Sequence, residues 1–223
     1  MSNQMSTKDK ILYAALKSFL SIGIDQTSLN NIAEAVNIKK PSIYYHFKSK
    51  EDLVNQCIHN ILDDLEHRLN LTLNALDNPR AQLEAFYECM IEFHKNLSIM
   101  VYENHHQLVN LNSFFQSASI DNEVNQQRIE HYYHNLQVSL IHMLSNGQKQ
   151  GLIKNSINKE IISIDLISRI DGMISLSALY KNANINTQRH SLYESVWDSL
   201  KSDHTPKKKK ILDYKSIDLG RKW

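Results

Sequence analysis

Residues 41–53 read PSIYYHFKSKEDL, with Lys39 and Lys40 immediately before them. Adjacent tyrosines, a histidine and several lysines sit around only a few apolar positions. These residue types suit one chemistry in particular. Lysine ammoniums and tyrosine hydroxyls bond phosphate oxygens, while the rings lie on sugar or a thymine methyl. A core helix would hide the rings, and a solvated helix has no need of Tyr44-Tyr45-His46. The segment reads as a surface built to meet nucleic acid.

The elements around it have to hold that surface in place. Ser6 stands three residues before Asp9, as an N-cap and a first-turn acid. Ile11, Leu12, Ala15, Leu16, Phe19 and Leu20 then recur at helical spacing. Gly23 is expected to end this helix in the left-handed C′ position. A shorter helix opens at TSLNNIAEAV, capped by Thr27 or Ser28, with Leu29, Ile32, Ala33 and Val36 facing inward. After the turn NIKK, Pro41 falls in the first turn of the next helix, where its missing N–H has no consequence. Ile43 and Phe47, four apart, give that helix a narrow buried stripe. Two short helices joined by a tight turn make a helix-turn-helix over residues 28–47, whose second helix fits a major groove. Ser49 caps the following helix, so Lys50 and the helix N-terminal amides point at phosphate together.

Composition agrees with this reading. Five glycines and three prolines in 223 residues, with 42% hydrophobic residues, favour an all-α protein with a real core. Residues 1–50 hold seven lysines against three acidic residues, and residues 201–223 eight basic against three, although the whole chain is only +1. A basic head and tail therefore flank an acidic body, which suits a polyanion partner for the head. Cys57 and Cys89 form no CxxC pair and fit a reducing compartment. No apolar run follows a basic start and none is long enough to span a bilayer, so a cytoplasmic location without membrane contact is expected.

Two stretches, GIDQTSLNNIA (23–33) and IKKPSIYYHFKSKEDL (38–53), resemble the amino-terminal domain of the TetR family of transcriptional repressors. Many positions match in order over about fifty residues, where a generic helix-turn-helix would match two or three. Pro41 departs from the pattern, standing where the family often has Gly or Ala. The resemblance implies a helix-turn-helix DNA-binding domain over residues 5–65 and a larger helical ligand-binding and dimerisation domain over 66–200. A basic tail over 201–223 resembles nothing in the family. The expected DNA contacts are Lys39, Lys40, Ser42, Tyr44, Tyr45 and His46, with Thr27, Ser28 and Lys50 on the DNA backbone. Lys40 and Tyr44 are the residues expected to read base edges or methyls.

The remaining sequence reads as longer helices: 50–76, one from Pro79 onward, a short piece near residues 105–115, a long one closing at Gly147 and Gly151, and two more. In the family, two long helices, here 121–146 and 159–181, pair with their copies in a second subunit. Ile161, Ile164, Ile167, Ile170, Ile174 and Leu176 supply more apolar surface than one core needs, and Gly172 and Ser175 permit close approach. Two recognition helices on half-sites about 34–36 Å apart also require a homodimer.

The family further implies an effector pocket between helices of the body. Phe86, Tyr87, Met90, Phe93, His94, Met100, Tyr102, Phe114 and Phe115 are candidate lining residues, aromatic or methionine with a few polar hooks. The effector itself is an unknown small molecule. His59, Asp63 and His67 share a helix face, Asp64/His67 and Glu103/His106 have the shape of helical-bundle di-metal motifs, and His131 and His134 flank Tyr132-Tyr133, but four converging acids are lacking. The glycines are scattered, with no phosphate loop, HExxH or GxSxG. No catalytic residue, metal ligand or cofactor is expected. The expected function is a sequence-specific repressor of transcription, dimeric on a palindromic double-stranded operator and released by the small molecule. A metal-dependent helical-bundle enzyme and an activator without ligand control are the alternatives, separable by metal analysis and by the sign of the transcriptional effect.

Overall fold

The computed structural model describes residues 5–102, 108–180 and 185–203. Among them the fold is all-α, with helices α1 (Thr7–Ile22), α2 (Leu29–Ala35), α3 (Lys40–His46), α4 (Lys50–Asn74), α5 (Pro79–Tyr102), α6 (Leu111–Ser119), α7 (Glu123–Lys149), α8 (Lys159–Leu179) and α9 (Ile185–Leu200). An isolated antiparallel bridge joins Ile153 to Lys201. No described helix is long and apolar enough to cross a membrane.

Each boundary of the head has a local cause. The Ser6 hydroxyl accepts the Asp9 amide at 3.2 Å, which starts α1. Gly23 ends the helix with φ 90° and ψ 161°. That is an extended, positive-φ conformation reserved for glycine rather than the expected left-handed one, and Gly23 is the C-cap itself. Between α2 and α3, Asn37 takes φ 54°. Its N–H donates to Glu34 at 3.0 Å and the Ile38 N–H donates to Ala33 at 2.9 Å, a Schellman turn with asparagine in the left-handed position. Ser49 then caps α4 through the Asp52 amide at 3.0 Å, while the Asp52 carboxylate accepts from the Lys48 N–H at 2.8 Å.

The α4 helix belongs to both parts of the chain. Its 25 residues run unbroken through residues 65 and 66, about 37 Å of rigid rod at 1.5 Å per residue. Its first turns join the head, and its later turns pack on α5 and α7. The body is layered around α5, against which α1, α4, α7, α8 and α9 all pack. Arg128 of α7 bonds Asp63 and Glu66 of α4, each at 2.7 Å, so the long helices are pinned by charge as well as by apolar contact. The Asn122 side chain, beside the start of α7, donates to Glu51 at 3.2 Å and Asn55 at 3.0 Å near the start of α4.

Gly147 does not close α7; it lies buried inside the helix, which runs to Lys149. A methyl added there would meet the Ile153 side chain, with Cγ1 at 2.8 Å, and Pro79 Cβ at 3.2 Å. Gly→Ala in a helix ordinarily stabilises by up to about 1 kcal/mol, but overpacking a filled core costs about 1–3 kcal/mol. Because Pro79 is held at the start of α5, the clash is the larger effect. Gly147→Ala is expected to lower the thermal midpoint by a few degrees, about 2–4 °C per kcal/mol for a domain this size. A raised midpoint would mean that Ile153 repacks without strain.

Candidate nucleic-acid interface

The second helix of the motif is anchored from below. Ile43 and Phe47 are fully buried, and Lys8 Nζ lies 5.7 Å from the Phe47 ring centroid, a cation over an aromatic face. Everything else on α3 faces out. Tyr45 is 86% exposed and Tyr44 50%, while Lys39, Lys40 and Pro41 are exposed and Ser42, His46 and Lys50 are half-buried. Tyr45 meets His46 edge to face at 5.0 Å, so the two rings hold each other without covering Tyr44. Among the described residues Lys39, Lys40 and Lys50 form no ion pair, leaving their charge to solvent or to a ligand. Asp52 stays below the usual carboxylate range, held there by the Gln56 side chain and the Lys48 amide, so it remains ionised at the N-terminus of α4.

Seven of the residues expected on this surface share it: Lys39, Lys40, Ser42, Tyr44, Tyr45, His46 and Lys50. Ser28 is exposed nearby, where it caps α2 by accepting from the Asn31 amide at 3.1 Å. Thr27 does not belong to it. The residue is 1% exposed and its hydroxyl donates to the Gly23 carbonyl at 2.8 Å. That inward bond closes the α1–α2 turn, so Thr27 shapes the head rather than touching a backbone phosphate.

The body redistributes the expected pocket residues. Phe86, Tyr87, Met90, His94, Phe114 and Phe115 are buried core, and Tyr102 packs against that core. Phe114 stacks on Phe19 of α1 at 6.3 Å, tying α6 to the head. His94 Nδ1 bonds the Met90 carbonyl at 2.8 Å, which makes it the protonated nitrogen of a neutral ring, and burial pushes its pKa down to about 4. Phe93 and Met100 instead line a cavity of about 260 Å³ with Tyr13, Asp64, Arg68, Asn96, Leu97 and Ile99. The signal for the charged pair was present in the sequence. Asp64 and Arg68, four apart, fall on the same face of α4 as Ile61, Leu65 and Leu69, where a charge is out of place.

The metal candidates come apart similarly. Asp63 is bound by Arg128 and Asp64 by Arg68. No group of three His, Cys, Asp or Glu side chains converges among the described residues. Glu103 and His106 lie outside those residues, as does the tail beyond residue 203.

Residues 11–57 match the family model for bacterial regulatory proteins of the tetR family. The head of the chain is thus similar to the DNA-binding domain of the TetR family. Over 86 residues it is 37% identical to the biofilm operon icaADBC HTH-type negative transcriptional regulator IcaR of Staphylococcus aureus, covering 39% of this chain and 45% of that one. Over 105 residues it is 29% identical to the HTH-type transcriptional repressor KstR2 of Mycolicibacterium smegmatis, covering 46% and 51%. The chain thus spans about half the length of the curated relatives it matches. The fold likeness extends further. A transcriptional regulator from Saccharomonospora viridis, solved in complex with choline, superposes with a TM-score of 0.72 over 87% of this chain and 97% of that one, at 17% identity.

Proposed function

We propose that this protein is a transcriptional repressor of the TetR family that binds a palindromic DNA operator as a homodimer and is released by a small molecule. The exposed Tyr44-Tyr45-His46 face, flanked by unpaired lysines over a fully buried Ile43 and Phe47, carries the DNA reading. Repression is supported by the negative regulator that matches the head. Pairing is supported by α8, where Ile161, Ile164, Leu176 and Leu179 are exposed on one side with the exposed Gly172 among them. A related fold in complex with choline supports a small-molecule site in the body.

The test is binding of the purified protein to the DNA upstream of its own coding sequence, across a salt series, with Tyr44→Ala as control. Tight, salt-sensitive binding that the control loses is expected; equal affinity for random DNA at every salt would rule the reading out. The same assay sorts the lysines. Lys50, at the start of α4, should hold a phosphate, so Lys50→Ala weakens all sequences alike and reduces the salt slope by about one. Lys40→Ala should relax preference at particular base pairs, by about 1–3 kcal/mol at the affected position. A uniform loss from both substitutions would show that Lys40 reads no base.

A further inference from the structure

One side chain, Asn122, ties the start of α7 to the start of α4. Its Oδ1 accepts the Asn125 N–H at 3.0 Å and so caps α7. Its Nδ2 donates to the Glu51 carboxylate at 3.2 Å and to Asn55 Oδ1 at 3.0 Å. Both acceptors lie in the first two turns of α4, and Glu51 directly follows Lys50 on the candidate DNA surface. Asp121, just before the cap, takes φ 55°, a left-handed turn that aspartate accepts more readily than most residues. Phe19 of α1 also stacks on Phe114 of α6 at 6.3 Å, but apolar contact is non-directional and leaves the angle between head and body free. Hydrogen bonds fix direction.

We propose that Asn122 is a positioning residue for DNA recognition: by bonding Glu51 and Asn55 from the cap of α7, it fixes the angle of α4 on the body and so the separation of the two recognition helices in a dimer. The side chain is engaged by protein at both ends and acts through its partners, not on DNA. It is well placed for this, because α7 packs on α8 and both are expected to pair with the second subunit. The leverage is large. In a rod about 37 Å long, a tilt of about 5° moves the starting end by about 3 Å. That is close to the rise of one base pair, about 3.4 Å. The inference rests on the dimeric repressor reading above.

Two substitutions separate this role from that of a helix cap. Asn122→Asp keeps the oxygen that accepts the Asn125 N–H, and aspartate caps a helix as well as asparagine does. It removes the donor, however, and sets a second carboxylate against Glu51. The fold is kept and the link becomes a repulsion. Adding Glu51→Gln to the same chain restores the bond with its polarity reversed, since the new amide donates to the new carboxylate. Glu51→Gln alone still offers Asn122 an acceptor. It also removes a negative charge beside Lys50, so it strengthens binding to all sequences alike. The four chains form a double-mutant cycle.

The experiment uses the full chain and the palindrome that footprinting finds in its upstream DNA, with the half-sites moved apart or together by one and two base pairs. Affinity is read by fluorescence anisotropy, helix content by circular dichroism and subunit state by sedimentation. Each base pair also rotates a half-site by about 35°, so the unmodified protein is expected to lose at least about tenfold per step away from the natural spacing. Asn122→Asp should keep its helix content and dimeric state. It should bind the natural spacing about tenfold more weakly and hold all spacings within about threefold of one another, because the heads now swing. The double variant should recover the sharp optimum. An Asn122→Asp protein whose optimum stays sharp, whether or not its affinity falls, would overturn the inference. So would a double variant that stays flat, or loss of helix content or of the dimer in Asn122→Asp, since the residue would then hold the fold and not the angle. An unmodified protein with no preferred spacing would count against the dimeric repressor reading itself and take the inference with it.

Discussion

A chain carrying Ile164→Glu and Leu176→Glu is expected to be folded, monomeric and at least about a hundredfold weaker on its operator. Ile164 is 55% exposed and Leu176 50% exposed on α8, so glutamates there meet water in a single chain and disturb little of its core. In a dimer joined through this face of α8 they would be buried in an apolar contact with the second copy, where added like charges are strongly unfavourable. Each recognition helix then binds one half-site alone. Joining two binding modules raises affinity about 10²–10⁴-fold through effective concentration, so separating them forfeits that factor. Sedimentation gives the oligomeric state, circular dichroism the helix content, and fluorescence anisotropy the operator affinity. A double variant that stays dimeric with unaltered affinity would place the subunit contact elsewhere than on this face of α8.

Acid should destabilise the protein through one buried ring. His94 is 5% exposed in α5, its Nδ1–H donates to the Met90 carbonyl, and burial pulls its pKa from 6.5 to about 4. The sign follows directly. Below about pH 6.5 the unfolded chain takes up a proton that the folded chain refuses, so stability is whole above that pH and falls as the pH drops toward about 4. At 1.36 kcal/mol per pKa unit, the loss across the window is on the order of 3 kcal/mol. His94→Asn keeps a donor for Met90 and removes the titration. Urea unfolding at a series of pH values between 7.5 and 4.5 should show a shallower acid slope in the variant. Parallel slopes would mean that His94 is protonated in the folded state as readily as in the unfolded chain.

The head was nearly complete in the sequence because its determinants are local. Ser6, Ser28 and Ser49 each cap a helix through an amide three residues on, and Asn37 turns the chain through bonds to Ala33 and Glu34 within a few residues. Such contacts depend on spacing, which a linear chain displays. The outward face of α3 followed for the same reason, since Ile43 and Phe47 fix which side is buried. The long helices of the body were equally readable from their period, but of the six apolar residues expected on the pairing face of α8, Ile167, Ile170 and Ile174 are buried in the chain's own core while Ile161, Ile164 and Leu176 are exposed. Three things were decided only by packing between distant segments. Thr27 turned inward because the Gly23 carbonyl needed a donor. Gly147 became a core position because Ile153 and Pro79 close on it. Phe93 and Met100, among nine similar side chains, came to line a cavity where α1, α4 and α5 meet. Residue type sets what a side chain can do; in this protein, whether it fills the core or faces a void depends on the helices that meet there.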